Sequence, residues 1–472
     1  MSFQSRREFL KTTGYVFGAA TFLGIIRSCE RKDTRRLPNL VFLFSDDHSV
    51  PDLGCYGNQH IHTPNLDNMA AQGIRFNRAY VSSSQCSPSR ASILTGRAPH
   101  DVHASRLHSA VPPYEINLVQ LLKDKGYHTG AYRKVHQPNI QNDFDFYGGH
   151  GERLTRFFDT RPEHQPFFLW FGSTDPHRSY EPGAFEPPHD PNALMVPEFL
   201  PDTPEVRQDL AYYYDEIARF DQECGEILEL LERHNLTENT LVVMAGDNGL
   251  PFPRAKATLY EAGINVPLLI RWPGRVRPEQ VTEELVSLTD LTATWLEAAG
   301  VRIPEIMQSR SLVPLITGND YQSRQYIFAE RNWHDNWDPM RCAVGQRYKL
   351  IQNYRPEMRY IPSLDLQNSP SYAVIQSLEE QGNLPDRLSW YTMDSRPQVE
   401  FYNLDNDPGE WNNLAQSSEH EDPVIQYQEA LSRWMEETHD FLPPPRGAFP
   451  GGPDSELNKT INPVNGIAFR NE

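Results

Sequence analysis

Cysteine is scarce. Five cysteines in 472 residues (Cys29, Cys55, Cys86, Cys224, Cys342) exclude a dense disulfide framework, and no CxxC pair or Cys/His spacing marks a structural zinc site. Each thiol is therefore read alone. Basic residues are also outnumbered, 44 Lys and Arg against 63 Asp and Glu, for a formal net charge of −19. No overall positive field exists to hold nucleic acid or an anionic membrane by counterion release, so an anionic ligand has to be met by a local cationic pocket. Long apolar runs are missing too: past the N-terminus, nothing is long and apolar enough to span a bilayer. Internal repeats are absent. What is present, 472 residues at 38% hydrophobic, suffices for one large core and a smaller appended one.

The N-terminus reads as an address. Ser5-Arg6-Arg7-Glu8-Phe9-Leu10-Lys11 is a twin-arginine pattern, and a weakly apolar run follows over residues 12–26, the order expected of an export leader. Residues 1–33 are assigned to this signal, which implies a bacterial protein, the twin-arginine translocase as a partner, and a periplasmic or secreted destination. Cys29 is a candidate lipid anchor, although Arg27 fits such a box poorly. Beyond the leader, short β-rich runs alternate with helical periods, which favours an α/β fold. Residues 40–45, 129–133, 167–171 and 241–245 read as strands. A long amphipathic helix opens with Thr203 as N-cap and Pro204 in its first turn. The expected architecture is a large, mixed, mostly parallel sheet sandwiched by helices over residues 34–320. A smaller antiparallel subdomain follows over residues 321–472, with strands at 326–329, 347–351 and 400–404, a closing helix at 424–437 and a Pro-rich tail at 443–453.

The polar residues after each strand are Asp46 and Asp47, Lys134 and His136, His177, and Asp247 with Asn248. In an open parallel sheet such ends share one crevice. Alone, each is ordinary: a solvated turn, a structural histidine, a common Asp-Asn-Gly turn. Together they supply hard oxygen ligands for a divalent cation beside cationic groups for an oxyanion. Carboxylate and amide oxygens without a Cys/His cluster favour calcium over zinc.

The most specific run is Cys86-Ser87-Pro88-Ser89-Arg90-Ala91-Ser92-Ile93-Leu94-Thr95-Gly96-Arg97. It resembles the signature of the type I sulfatases of the alkaline phosphatase superfamily, C-x-P-S-R followed by x-S-x-L-T-G, and the resemblance runs from about residue 37 to 439. It implies that a formylglycine-generating or anaerobic sulfatase-maturing enzyme oxidises Cys86 to 3-oxoalanine (formylglycine). The change has a chemical reason: a thiolate attacking sulfate would end as a stable thiosulfate ester, whereas a hydrated aldehyde has a second hydroxyl with which to expel sulfate. By the same resemblance, one Ca2+ is held by Asp46, Asp47, Asp247, Asn248 and the modified Cys86, and Arg90 holds the formylglycine. Lys134 and Lys256 bind sulfate oxygens, His136 orients or deprotonates the second hydroxyl, and His177 contacts sulfate and protonates the leaving atom. Cys86 also precedes a helix predicted to start near Pro88, whose N-terminal N–H groups favour negative charge there.

Asp175-Pro176-His177-Arg178, Asp247 to Pro253, Asp338-Pro339-Met340-Arg341 and Glu437-Thr438-His439-Asp440 further resemble the heparan N-sulfatase (sulfamidase) branch. That branch implies a sulfated saccharide as substrate, carrying N-sulfate, or the O-sulfate of a polysaccharide such as ulvan. Trp333 and His334, in Trp333-His334-Asp335-Asn336-Trp337, are candidate sugar contacts, with packing at a domain junction as the alternative. A phosphate or phosphonate monoester hydrolase of the same superfamily is the rival activity. A catalytically silent carbohydrate-binding homologue would predict a broken metal set or a lost nucleophile.

Overall fold

The computed structural model describes residues 36–442; the leader, Cys29 and the Pro-rich tail lie outside them. Residues 37–442 fall within one compact unit. Among the described residues no helix is long and apolar enough to cross a membrane.

Four runs of β-branched, aromatic and aliphatic residues make the centre: β1 (Asn39–Ser45), β2 (His128–Arg133), β3 (Phe167–Gly172) and β4 (Thr240–Gly246). They lie parallel in the order β2, β3, β1, β4. The eight-stranded sheet continues with Phe146–Gly148 beside β2, and past β4 with Leu268–Arg271, Ile74–Phe76 and Gln280–Thr282. Antiparallel pairs flank Leu268–Arg271, so the sheet is mixed. These four outer strands have only three or four residues each, too few for a periodicity to stand out in the sequence.

Alternation decides the layers. Leu40, Phe42 and Phe44 enter one core, and Val41 and Leu43 enter the other. Each such side chain contributes roughly 1.5–3 kcal/mol by burial. Both faces of the central strands are therefore committed to packing, and only their C-terminal ends remain for chemistry. On the first face lie α1 (Cys86–Thr95) and α3 (Asp290–Ala298), the latter driving Leu291, Trp295 and Leu296 into the core. Against the other lies α2 (Pro204–Arg233). The Thr203 hydroxyl accepts from the Val206 N–H at 3.4 Å, and Pro204 sits at the first helical position, where its missing N–H costs nothing.

The second sheet is antiparallel, in the order β5 (Ile327–Trp333), β6 (Trp337–Val344), β7 (Tyr348–Asn353) and β8 (Val399–Asn403). Helix α5 (Glu421–Glu437) packs Val424, Tyr427, Leu431 and Met435 on Ala343, Leu350 and Phe401. Strand β6 has no counterpart among the strands read from sequence. Its Asp338 and Arg341 look like surface residues but are buried in ion pairs, Asp338 with Arg331 and Arg396, and Arg341 with Asp440. The residues between β5 and β6, which include the candidate sugar contact His334, form the hairpin turn of this sheet.

Candidate active site

Asp46 and Asp47 follow β1, and Asp247 and Asn248 follow β4, its direct neighbour. All four are fully buried. Asp47 turns left-handed at φ 65° and its N–H donates to Asp247 Oδ1 at 2.9 Å. Aspartate tolerates that conformation better than most residues, and the bond holds it there. Cys86, the first residue of α1, puts its Sγ 3.8 Å from Asp47 Oδ1. One ligand atom from each of Asp46, Asp47, Cys86 and Asp247 lies within 4.8 Å of the others. Asp46 Oδ1 and Asn248 Oδ1 are buried without a hydrogen-bond donor. Orphaned oxygens of this kind are costly unless something positive meets them. The donor set is hard, crowded and anionic, as a divalent cation requires.

Cations ring the cluster. Arg90 Nε donates to Asp247 Oδ2 at 2.8 Å and Arg90 Nη2 lies 3.7 Å from Asp46 Oδ1. Lys134 Nζ pairs with Asp46 Oδ2. Lys256 Nζ bridges Asp47 Oδ2 and Asp365 Oδ2, 2.7 Å from each. Burial would raise the Asp46 pKa, but Lys134, His177 and Arg90 hold it well below the carboxylate range. Burial, then the Asp46 charge, push Asp247 up to about 7. Burial also lifts the Cys86 thiol well above its ordinary value, with Asp46 adding to the shift.

Lys134 is placed by backbone contacts. Its N–H donates to Gly172 O at 2.9 Å, and its carbonyl accepts from Arg90 Nη1 at 2.5 Å and Trp170 Nε1 at 3.2 Å. A Cβ on Gly172 would stand 2.0 Å from that carbonyl, so only glycine allows the approach. His136, at φ 60°, sets its Nε2 2.9 Å from His108 Nδ1. Burial, then Lys134 and Arg90, lower the His136 pKa to about 3, which keeps the ring neutral. His177 places Nε2 3.9 Å from Asp47 Oδ2 with its side chain 31% exposed, facing solvent access and the cluster together. The next residue, Arg178, is clamped to Asp209 through both Nη atoms at 2.7 and 2.8 Å.

A profile for sulfatases matches residues 38–159 and 151–301, and one for the C-terminal region of N-sulphoglucosamine sulphohydrolases matches residues 254–383. Human N-sulphoglucosamine sulphohydrolase is 30% identical over 484 aligned residues, covering 90% of this chain and 94% of the relative. The chain belongs to the sulfatase family. An ulvan-active sulfatase of Formosa agariphila is 28% identical, over 84% of this chain and 74% of the relative. Among solved structures, BT4656 in complex with its substrate D-glucosamine-2-N,6-O-disulfate superposes with a TM-score of 0.67 at 19% identity, covering 85% of this chain and 98% of that one. The likeness establishes the fold of this sulfatase, the mostly parallel alkaline phosphatase-like sheet with its small antiparallel companion.

The sulfatase thus gathers Asp46, Asp47, Cys86, Arg90, Lys134, His177, Asp247, Asn248 and Lys256 into one cluster, with His136 at its edge through His108. Trp333 and His334 lie near the His108 edge of the cluster, the Trp333 carbonyl accepting the Leu107 N–H at 2.9 Å. The Trp333 ring lies under the Arg106 guanidinium at 5.5 Å, and His334 bonds to Asp335 at 2.8 Å with its side chain nearly buried. Two participants carried no sequence signal. His108 lies in an irregular stretch, and Asp365 lies in the four-residue helix α4 (Leu364–Gln367). Asp365 is a positioning residue for Lys256. Replacing it by asparagine keeps an oxygen but removes the charge, part of a charge-assisted bond of roughly 1.5–3 kcal/mol. Steady-state kinetics on Asp365→Asn should give kcat/KM about tenfold lower, with a thermal midpoint close to the parent's.

Proposed function

We propose that this sulfatase is an exported, calcium-dependent enzyme of polysaccharide degradation. It hydrolyses sulfate from a sulfated saccharide through a formylglycine made from Cys86. The observation that carries the reading is the position of Cys86: at the first turn of α1, against three buried carboxylates, with Arg90, Lys134 and Lys256 around them. The substrate class is supported by the relatives, which are named for ulvan and N-sulphoglucosamine, and by a neighbour bound to a glucosamine disulfate. Export through the twin-arginine translocase to the periplasm, and maturation by a formylglycine-generating or anaerobic maturing enzyme, complete the reading.

The donor set suits one calcium ion, held by Asp46, Asp47, Asp247, Asn248 and residue 86. Bound there, the ion and the hydrated aldehyde supply an acidified hydroxyl for attack on sulfur. The chain's own residues do the rest. Lys134, paired with Asp46, and Lys256, paired with Asp47, offer N–H donors to the sulfate oxygens. Arg90, fully buried and fixed on Asp247, neutralises the carboxylates and holds residue 86 in place. His177, partly open to solvent, holds the proton for the leaving oxygen or nitrogen. His136, at the edge of the cluster with Nδ1 buried without a partner, orients or deprotonates the remaining hydroxyl.

The test is release of inorganic sulfate from N-sulfated glucosamine, O-sulfated glycosaminoglycan and ulvan oligosaccharides, run beside a phosphate monoester. Sulfate should appear from at least one saccharide with no comparable phosphate release. Phosphate release in the absence of any sulfate release would overturn the reading.

A further inference from the structure

Among the described residues, two cavities carry opposite charges. The larger, ≈650 Å³, has Asp52, Glu261, Glu283 and Asp405 in its wall against a single Arg78. That arginine is already engaged by the carbonyls of Gly345 and Gln346. The second, ≈480 Å³, carries Arg310, Arg324 and Arg433 against one acid, Glu437. In a chain of net charge −19 such a concentration of guanidinium groups is unexpected.

Arg324 is held in place: Nε donates to Asp290 Oδ2 at 2.8 Å, Nη2 to Asp290 Oδ1, and Asp290 itself is fully buried in α3. Arg310 and Arg433 are exposed, and among the described residues neither has a carboxylate at ion-pair distance. Between them the wall is aromatic. Trp434 and Phe328 stack with centroids 5.1 Å apart and planes 9° apart, and both line the cavity. Guanidinium forks match planar or tetrahedral oxyanions, and a flat aromatic wall suits the apolar face of a sugar ring. The volume falls in the range of small-ligand sites.

Strand β5, whose residues 329–332 are buried, sets the distance from this cavity to the catalytic side. Its first two residues, Ile327 and Phe328, line the cavity. Its last, Trp333, accepts the Leu107 N–H at 2.9 Å, next to the His108 that meets His136. Five residues of strand span about 17 Å. That separation exceeds one sugar unit and lies within the length of an oligosaccharide.

We propose that the cavity between α3, β5 and α5 is a non-catalytic subsite for a sulfate-bearing sugar of the polymer whose other end is hydrolysed at Cys86. This rests on the sulfated-saccharide reading of the active site. A tethered second contact raises the local concentration of the polymer without acting on short substrates. Arg310 and Arg433 supply the ligand's charge partners, Arg324 fixes the wall, and Trp434 with Phe328 carries the ring.

The test uses full-length matured enzyme with two double variants, Arg310→Glu with Arg433→Glu and Arg310→Lys with Arg433→Lys. Rates are measured on a sulfated monosaccharide and on sulfated hexasaccharides cut from heparin and from ulvan. Hexasaccharide affinity is measured by calorimetry in a Cys86→Ala background, with a hyaluronan hexasaccharide, which carries carboxylates only, as the comparison. Charge reversal should weaken hexasaccharide binding, and raise its KM, by about tenfold or more, while monosaccharide kcat/KM stays within about twofold. The lysine pair should retain most of the affinity. The proposal is overturned by hexasaccharide binding that ignores the reversal, by a lysine pair as weak as the glutamate pair, or by hyaluronan binding as tightly. Because calorimetry needs no turnover, a protein that binds hexasaccharide but hydrolyses nothing counts against the catalytic reading and leaves the subsite standing.

Discussion

Replacing Cys86 by alanine should reduce sulfate release by at least about 10⁴-fold, the scale on which removing an enzyme's nucleophile is felt. The fold should persist. Cys86 is 3% exposed at the start of a helix whose other residues do the packing, and its sulfur makes one long contact, 3.8 Å to Asp47 Oδ1. Losing it removes little apolar area, so the thermal midpoint should move by less than about 3 °C. The peptide spanning residue 86 of active enzyme should react with a hydrazide as an aldehyde does, and mass spectrometry reads the adduct. Retained turnover in the alanine variant would refute the assignment, and so would an intact thiol in fully active protein.

Chelation is the second experiment with a large expected effect. Three carboxylates share a volume in which ligand atoms stand within 4.8 Å, and Asp46 Oδ1 and Asn248 Oδ1 have no donor. A bound cation neutralises the mutual repulsion and satisfies both oxygens, so it stabilises the folded chain as well as the reaction. At a free concentration one hundred times its Kd the ion contributes about 2.7 kcal/mol of stability. Removing it with a calcium chelator should therefore lower the thermal midpoint measurably and cut activity by about 100-fold or more. Added calcium should restore both. A chelated enzyme with unchanged midpoint and rate would exclude a metal from this site.

The part of this molecule that can be read from its sequence is the part built by uninterrupted central strands. Residues 40–45 and 241–245 are apolar because both sheet faces are buried, and the break to Asp-Asp or Asp-Asn marks the strand end where chemistry sits. The signal fails where burial and polarity coincide. Asp338 and Arg341 on β6 read as exposed, yet each is neutralised by a partner far away in sequence, Arg396 and Asp440. Asp365 reaches Lys256 from α4, which the Asp335 carboxylate helps tie to the hairpin between β5 and β6 by accepting the Leu364 N–H at 2.7 Å. No local pattern encodes such a contact across 109 positions. The arginine cavity is likewise assembled from residues near 310, 324 and 433, which no window of sequence brings together.

Every residue of α1, from Cys86 to Thr95, is buried. A maturing enzyme working on the finished protein would find no segment of α1 to grip. The oxidation we propose therefore has to happen while the chain is still open, before the sheet closes over it. With the export we propose, a twin-arginine leader would carry folded cargo, and the steps would take a fixed order: modify, fold, then leave the cytoplasm. On the proposed reading, a molecule that folds first keeps its thiol and stays inactive.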